Sequence, residues 1–116
     1  MHITVLDSQH AEQKSAGEVF GPQQPWLRAD LAAASKATWK LAFFHKPPYE
    51  VHPTRSGKQV RDAFCPILEA GKVDLVFNGH DHGIARTYPI RNENMKRKPS
   101  EGIIYCMVGR SGTKAY

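Results

Sequence analysis

Hydrophobic positions along the chain fall in short runs separated by polar, Gly- and Pro-containing stretches. The first run, Ile3-Thr4-Val5-Leu6, is β-branched and ends in Asp7-Ser8, the pattern of a strand followed by turn chemistry. A polar, glycine-containing loop is expected over residues 9–21. Pro22 and Pro25 then introduce Trp26, Leu27, Leu31 and Ala32 at helical spacing, and a helix is predicted over residues 24–35 with Pro25 in its first turn. A second apolar run covers residues 39–44, interrupted by Lys40 alone, and ends at His45, where Pro47 and Pro48 forbid further strand. Val60, Phe64, Ile67 and Leu68 recur at i, i+4, i+7 and i+8, one face of an amphipathic helix kinked at Pro66 and stopped by Gly71. Val73, Leu75, Val76 and Phe77 form a third strand before Asn78-Gly79-His80. Residues 84–90 and 103–108 are expected to pair as an antiparallel hairpin with a long loop. The predicted order is β-α-β-α-β-β-β, an α/β fold.

A strand-helix-strand order implies parallel neighbours joined by right-handed crossovers, which place the carboxyl ends of the strands on one edge. Ligands of open α/β sheets bind beyond that edge. Asp7, His45, His80 and His82 should therefore converge there. Residues i and i+2 of an extended or turning segment project to the same side, so His80 and His82 can present two imidazoles to one metal or to neighbouring metals. Gly79 allows the sharp exit that aims them. Three histidines and a water would satisfy a catalytic zinc without further help, so a self-contained mononuclear zinc protein using His45, His80 and His82 is one reading. Asp81 should point away from the pair. Asp7 reads as a strand-ending turn residue, and Asp74 as a strand residue facing a helix dipole or solvent. His2 and His10 lie away from the predicted edge.

The 116 residues suffice for one domain, residues 1–116. No stretch approaches the ~18 consecutive apolar residues of a membrane-spanning helix, so no membrane partner is expected. The N-terminus has no secretory-signal pattern and reads as a strand that starts at once. Cys65 and Cys106 lie in apolar runs and read as small buried hydrophobes. The formal charge of +5 is concentrated between Arg86 and Lys98, where Arg86, Arg91, Lys96, Arg97 and Lys98 face Glu93 alone. This is a basic loop, read as a solvated segment near the carboxyl edge of the sheet. A module binding anions or nucleic acid through it is a further reading, with nucleic acid the less favoured partner because aromatic interleaving is sparse.

At the histidine segments the chain resembles the calcineurin-like metallophosphoesterases, and within them the purple acid phosphatase type. The matching features are Phe43-Phe44-His45-Lys46-Pro47-Pro48-Tyr49 and Val73-Asp74-Leu75-Val76-Phe77-Asn78-Gly79-His80-Asp81-His82. Weaker agreements lie at Leu6-Asp7-Ser8, Gln24-Pro25-Trp26-Leu27 with Leu31, Arg86-Thr87-Tyr88-Pro89-Ile90, and Gly109-Arg110-Ser111-Gly112 with Lys114 and Tyr116.

The resemblance implies half of an α/β/β/α sandwich and a two-metal phosphoesterase. His45 and His80 would hold one ion and His82 the other, with Fe, Zn or Mn as the metals and a phosphorylated small molecule as substrate. It also implies absences: the Asp-x-His, bridging Gly-Asp and Gly-Asn-His segments of the family's first half do not occur here. Ile84 and Ala85 stand where the purple acid phosphatases tend to carry Tyr-Glu. His52 sits in the loop where that family places histidines that contact phosphate, and is the candidate catalytic residue. The chain then reads as the C-terminal half of such an enzyme, needing the missing N-terminal half, holding at most one metal weakly and turning over little by itself.

The last run, residues 103–108, is almost continuously apolar, as in a strand covered on both faces. Two predicted helices cannot cover both faces of the sheet. A bare apolar face, and with it self-association or a dimer, is therefore expected.

Overall fold

The computed structural model describes residues 1–9 and 15–109. Its main sheet has five strands: β1 (His2–Val5), β2 (Lys40–Phe43), β3 (Leu75–Asn78), β7 (Ile104–Val108) and β4 (Ile84–Arg86), in the order β1-β2-β3-β7-β4. The first four run parallel, and β4 pairs antiparallel to β7. The predicted α/β architecture is present, and its parallel strands share a carboxyl edge.

Three helices lie on one face of the sheet. α1 (Ala16–Phe20) falls where a polar loop was expected. Its signal is a capping box: Glu18 N–H donates to Ser15 Oγ, and the Ser15 N–H donates to the Glu18 carboxylate at 2.7 Å. α2 (Gln23–Ala33) agrees with the predicted helix and buries Leu27 and Leu31. α3 (Lys58–Ala70) buries Val60, Phe64, Ile67 and Leu68 as its period requires, and continues through Pro66, whose side chain is exposed. These residues form one core with Leu6, Ala42, Phe44, Val76 and Tyr105.

Three expectations need correction. The run at residues 84–90 is not one strand. β4 ends at Arg86, and β5 (Ile90–Arg91) forms a separate two-stranded hairpin with β6 (Asn94–Met95), joined to the main sheet through an Ile90 and Ile103 bridge. Pro89 supplies no N–H, which interrupts any continuous ladder there. Asp74 does not lie inside a strand. It precedes β3, and its Oδ2 accepts the Lys40 N–H at 2.8 Å, fixing the start of β2. Finally, β7 is covered on one face only: Tyr105 and Met107 are buried, while Ile104 and Cys106 are partly exposed and Val108 is exposed.

The pairing register puts Ile3, Leu41, Leu75 and Ile104 on one row of the uncovered face, and Val5, Phe43, Phe77 and Cys106 on the next. Phe43 and Phe77 stack at 5.0 Å. The rim of this face is open, with Val5 66% and Ile84 88% exposed. The bare apolar face expected from the helix count is therefore present.

Candidate metal and phosphate site at the carboxyl edge

The ladders of β2 and β3 extend one step past the strands and fix the residues just beyond them. Asn78, 2% exposed, donates its side-chain N–H to Phe44 O at 2.7 Å, and Gly79 N–H donates to His45 O at 3.1 Å. His45 and His80 are thereby held at adjacent strand ends, with ring centroids 5.2 Å apart in an edge-to-face arrangement. Gly79 makes this approach possible, because a Cβ there would stand 3.2 Å from His45 Nδ1. His80 has φ +66°, a left-handed conformation uncommon for a side-chain-bearing residue. Such strain gathers at functional sites. Ser8, 1% exposed, adds a tie from the end of β1, its Oγ accepting the Lys46 N–H at 2.6 Å.

The structure thus brings His45 and His80 together at the predicted edge, with His82 two residues on. Among the described residues, no three His, Cys, Asp or Glu side chains gather closely enough to hold an ion. The single-ion reading needs all three histidines around one metal, and the observed grouping is a pair. The donor set of that pair fits one divalent or trivalent ion as two of its ligands. Burial first, then the Arg55 and His45 charges, hold the His80 imidazole below its usual pKa, which favours the neutral form a metal requires.

The other sequence candidates also have definite places. Asp7 makes the expected turn, its Oδ1 accepting the Gln9 N–H at 2.8 Å. His2 lies at the opposite end of the sheet and meets Asp30 Oδ2 at 2.7 Å. His10 lies outside the described residues, as do Arg110, Ser111, Gly112, Lys114 and Tyr116. His52 stands in the loop after β2, where its Nδ1 lies 3.1 Å from Thr54 Oγ1 and 3.4 Å from the Thr54 N–H. A cavity of about 200 Å³ opens beside His80, lined also by Lys46, Glu50 and Arg55. Burial, then repulsion from Asp81, raises the Glu50 pKa.

The basic stretch is not at this edge. β4 runs antiparallel to β7, from Ile84 opposite Val108 down to Arg86 opposite Cys106, and Ile90 meets Ile103 just before β7 begins. Arg91 and the residues after it therefore gather at the amino end of the sheet, near Glu69, Lys72 and Asp74. The cations close to the histidines are Lys46 and Arg55, which the local charge count did not single out.

The family profile of the calcineurin-like phosphoesterases matches residues 4–83, a span that runs from within β1 through β3 and includes all three edge histidines. The chain belongs to the calcineurin-like phosphoesterases. Among curated relatives of this phosphoesterase, purple acid phosphatase 21 of Arabidopsis thaliana is 32% identical over 101 residues, 84% of this chain and 22% of that protein. A phosphoenolpyruvate phosphatase of Allium cepa is 35% identical over 95 residues, 78% of this chain and 19% of its own length. Purple acid phosphatase 1 of Ipomoea batatas is 30% identical over 123 residues, 96% of this chain and 25% of its own. The chain thus spans about a fifth to a quarter of these relatives. The solved structure of GAP50, described as the anchor in the inner membrane complex of Plasmodium, shares the fold with a TM-score of 0.65 at 18% identity, covering 96% of this chain and 35% of that one.

Proposed function

We propose that this phosphoesterase chain carries the histidine half of a two-metal site for phosphoester hydrolysis. His45 and His80 hold one ion, His82 contributes to the other, and His52 contacts the phosphate. The observation that carries this reading is the edge-to-face contact of His45 and His80 at 5.2 Å, on adjacent parallel strands inside the matched span. Iron, zinc or manganese, when bound, would supply Lewis acidity toward the phosphoryl oxygens and acidify a water toward neutral pH.

The chain's own side chains supply the rest. His45 and His80 present imidazoles from two fixed strand ends, so little ordering remains to be done on binding. Lys46 and Arg55 line the cavity beside His80 and attract an anionic ester. The His52 imidazole can donate to a phosphoryl oxygen or to the departing alkoxide. No group of three His, Cys, Asp or Glu side chains gathers among the described residues, and in this reading the remaining ligands come from an N-terminal half that also covers the bare sheet face.

The test is turnover of p-nitrophenyl phosphate by this chain with added Zn²⁺ or Mn²⁺, beside calorimetric titration of the same metals. Weak binding of one ion, reduced at least tenfold in both His45→Ala and His80→Ala, with negligible turnover, is the expected result. Robust turnover that His80→Ala abolishes would overturn the claim that half the site is missing. Metal affinity unchanged in both variants would overturn the site itself.

A further inference from the structure

Asp81 lies between two proposed ligands yet faces away from them, and it is 3% exposed. Its Oδ2 accepts two backbone N–H groups, from Val51 at 2.7 Å and from His52 at 3.0 Å. Its Oδ1 accepts Arg55 Nη1 at 2.6 Å, and the same nitrogen donates to His80 O at 3.3 Å. A single buried carboxylate therefore binds both ends of the turn that carries His52, and Arg55 closes the tie onto the backbone of His80.

A buried charge is costly to desolvate and persists only where its partners satisfy it. Here the partners belong to a turn with little apolar anchorage of its own: Val51 is 51% exposed, and Pro53 and Thr54 are exposed as well. Three donors, the Val51 and His52 N–H groups and Arg55 Nη1, satisfy both oxygens of the Asp81 carboxylate. The Coulomb attraction and both backbone bonds thus act on one short segment.

We propose that Asp81 and Arg55 form a strut that holds the His52 turn against the His80 segment, making Asp81 a positioning residue for phosphate recognition by His52. This rests on the reading that His52 contacts phosphate beside a metal held by His45 and His80. The strut fixes an exposed surface turn, and it couples the phosphate contact to the metal-bearing segment through Arg55.

The experiment is nuclear magnetic resonance on the full chain, native and Asp81→Asn, with inorganic phosphate added after Zn²⁺. Three signals separate the claims: amide exchange at Val51 and His52, the His52 ring response to phosphate, and the His45 and His80 ring responses to Zn²⁺. Asn cannot accept from both backbone donors and from Arg55 without placing its own N–H₂ against one of them. The expected result in Asp81→Asn is exchange about tenfold faster at the two amides and a phosphate response at His52 weakened about tenfold, with the Zn²⁺ responses kept.

Asp81→Glu, which keeps a carboxylate for the two N–H donors and Arg55, should retain most of the phosphate response, and it stands as the folded variant if Asp81→Asn does not fold. An unchanged phosphate midpoint in Asp81→Asn, or equal loss of the Zn²⁺ and phosphate responses, overturns the strut as a positioning device. So does a native chain whose His52 ring ignores phosphate. Absence of any Zn²⁺ response at His45 and His80 in the native chain defeats the metal reading instead, and the amide exchange then still tests the tie.

Discussion

Gly79 carries more of the site than its lack of a side chain suggests. A Cβ at this position would press on His45 Nδ1 at 3.2 Å, and the imidazole would have to yield by a few tenths of an ångström. Because His45 is exposed, it can move, and the cost should fall on the ring's alignment with His80, not on folding. Gly79→Ala is therefore expected to lower Zn²⁺ affinity about tenfold by calorimetry while leaving the melting temperature nearly unchanged. Equal affinity in the variant would show that the contact is not what sets the ligand geometry. The histidines themselves were legible, because strand ends at Phe44 and Phe77 and the Gly-His-x-His spacing locate them without three-dimensional information. Arg55 and the destination of the Asp81 side chain were not, since a hydrogen bond between residues 26 apart leaves no local pattern.

Elements were read well where one period dominated and poorly where short-range chemistry decided. The face of α3 follows from Val60, Phe64, Ile67 and Leu68 alone. Its end at Gly71 was also anticipated, yet the reason differs: Gly71 has an ordinary φ of −74°, and the left-handed residue is Lys72 at φ 56°. What excludes a side chain at Gly71 is Leu31 of α2, whose Cδ1 would stand 2.5 Å from a Cβ. Gly71→Ala should thus cost about 1–3 kcal/mol of stability by overpacking the α2 and α3 contact, measured by urea denaturation.

The start of α2's packing on β1 has a different signature. Asp30 Oδ2 accepts Thr4 Oγ1 at 2.7 Å and also meets His2. Burial would raise the Asp30 pKa, and these two partners outweigh it, so the folded value lies below the unfolded one. The unfolded chain then takes up this proton first as the pH falls. The Asp30 contribution is complete above about pH 4 and is lost as the pH drops through the folded value. Asp30→Asn should be about 1 kcal/mol less stable near neutral pH and lose less on acidification, as read from denaturation midpoints at successive pH values.

At the scale of the whole molecule, charge and apolar surface separate to different places. The +5 excess was readable as one segment, but its position was not, because it depends on the direction in which β4 crosses beside β7. That direction carries Arg91 and its neighbours to the amino end of the sheet, away from the histidines. The apolar face was foreseeable in kind, since few helices could be counted, and the pairing register shows its extent: Ile3, Val5, Phe43, Phe77, Val108 and Ile84 lie across five strands with no helix of the described residues above them. Broad exposed apolar patches mark surfaces that another protein covers. Two sheets packed face to face would bury it at about 10 Å spacing, whether the second sheet comes from an N-terminal half or from another copy. For this chain in isolation the available cover is another copy, so sedimentation should show mass rising with concentration. Val5→Lys together with Val108→Glu, both at exposed rim positions, should shift that equilibrium toward monomer without loss of helical content by circular dichroism. A native chain that stays monomeric across the concentration range, with the same thermal stability as the double variant, would mean that the sheet face is tolerated in water and needs no partner.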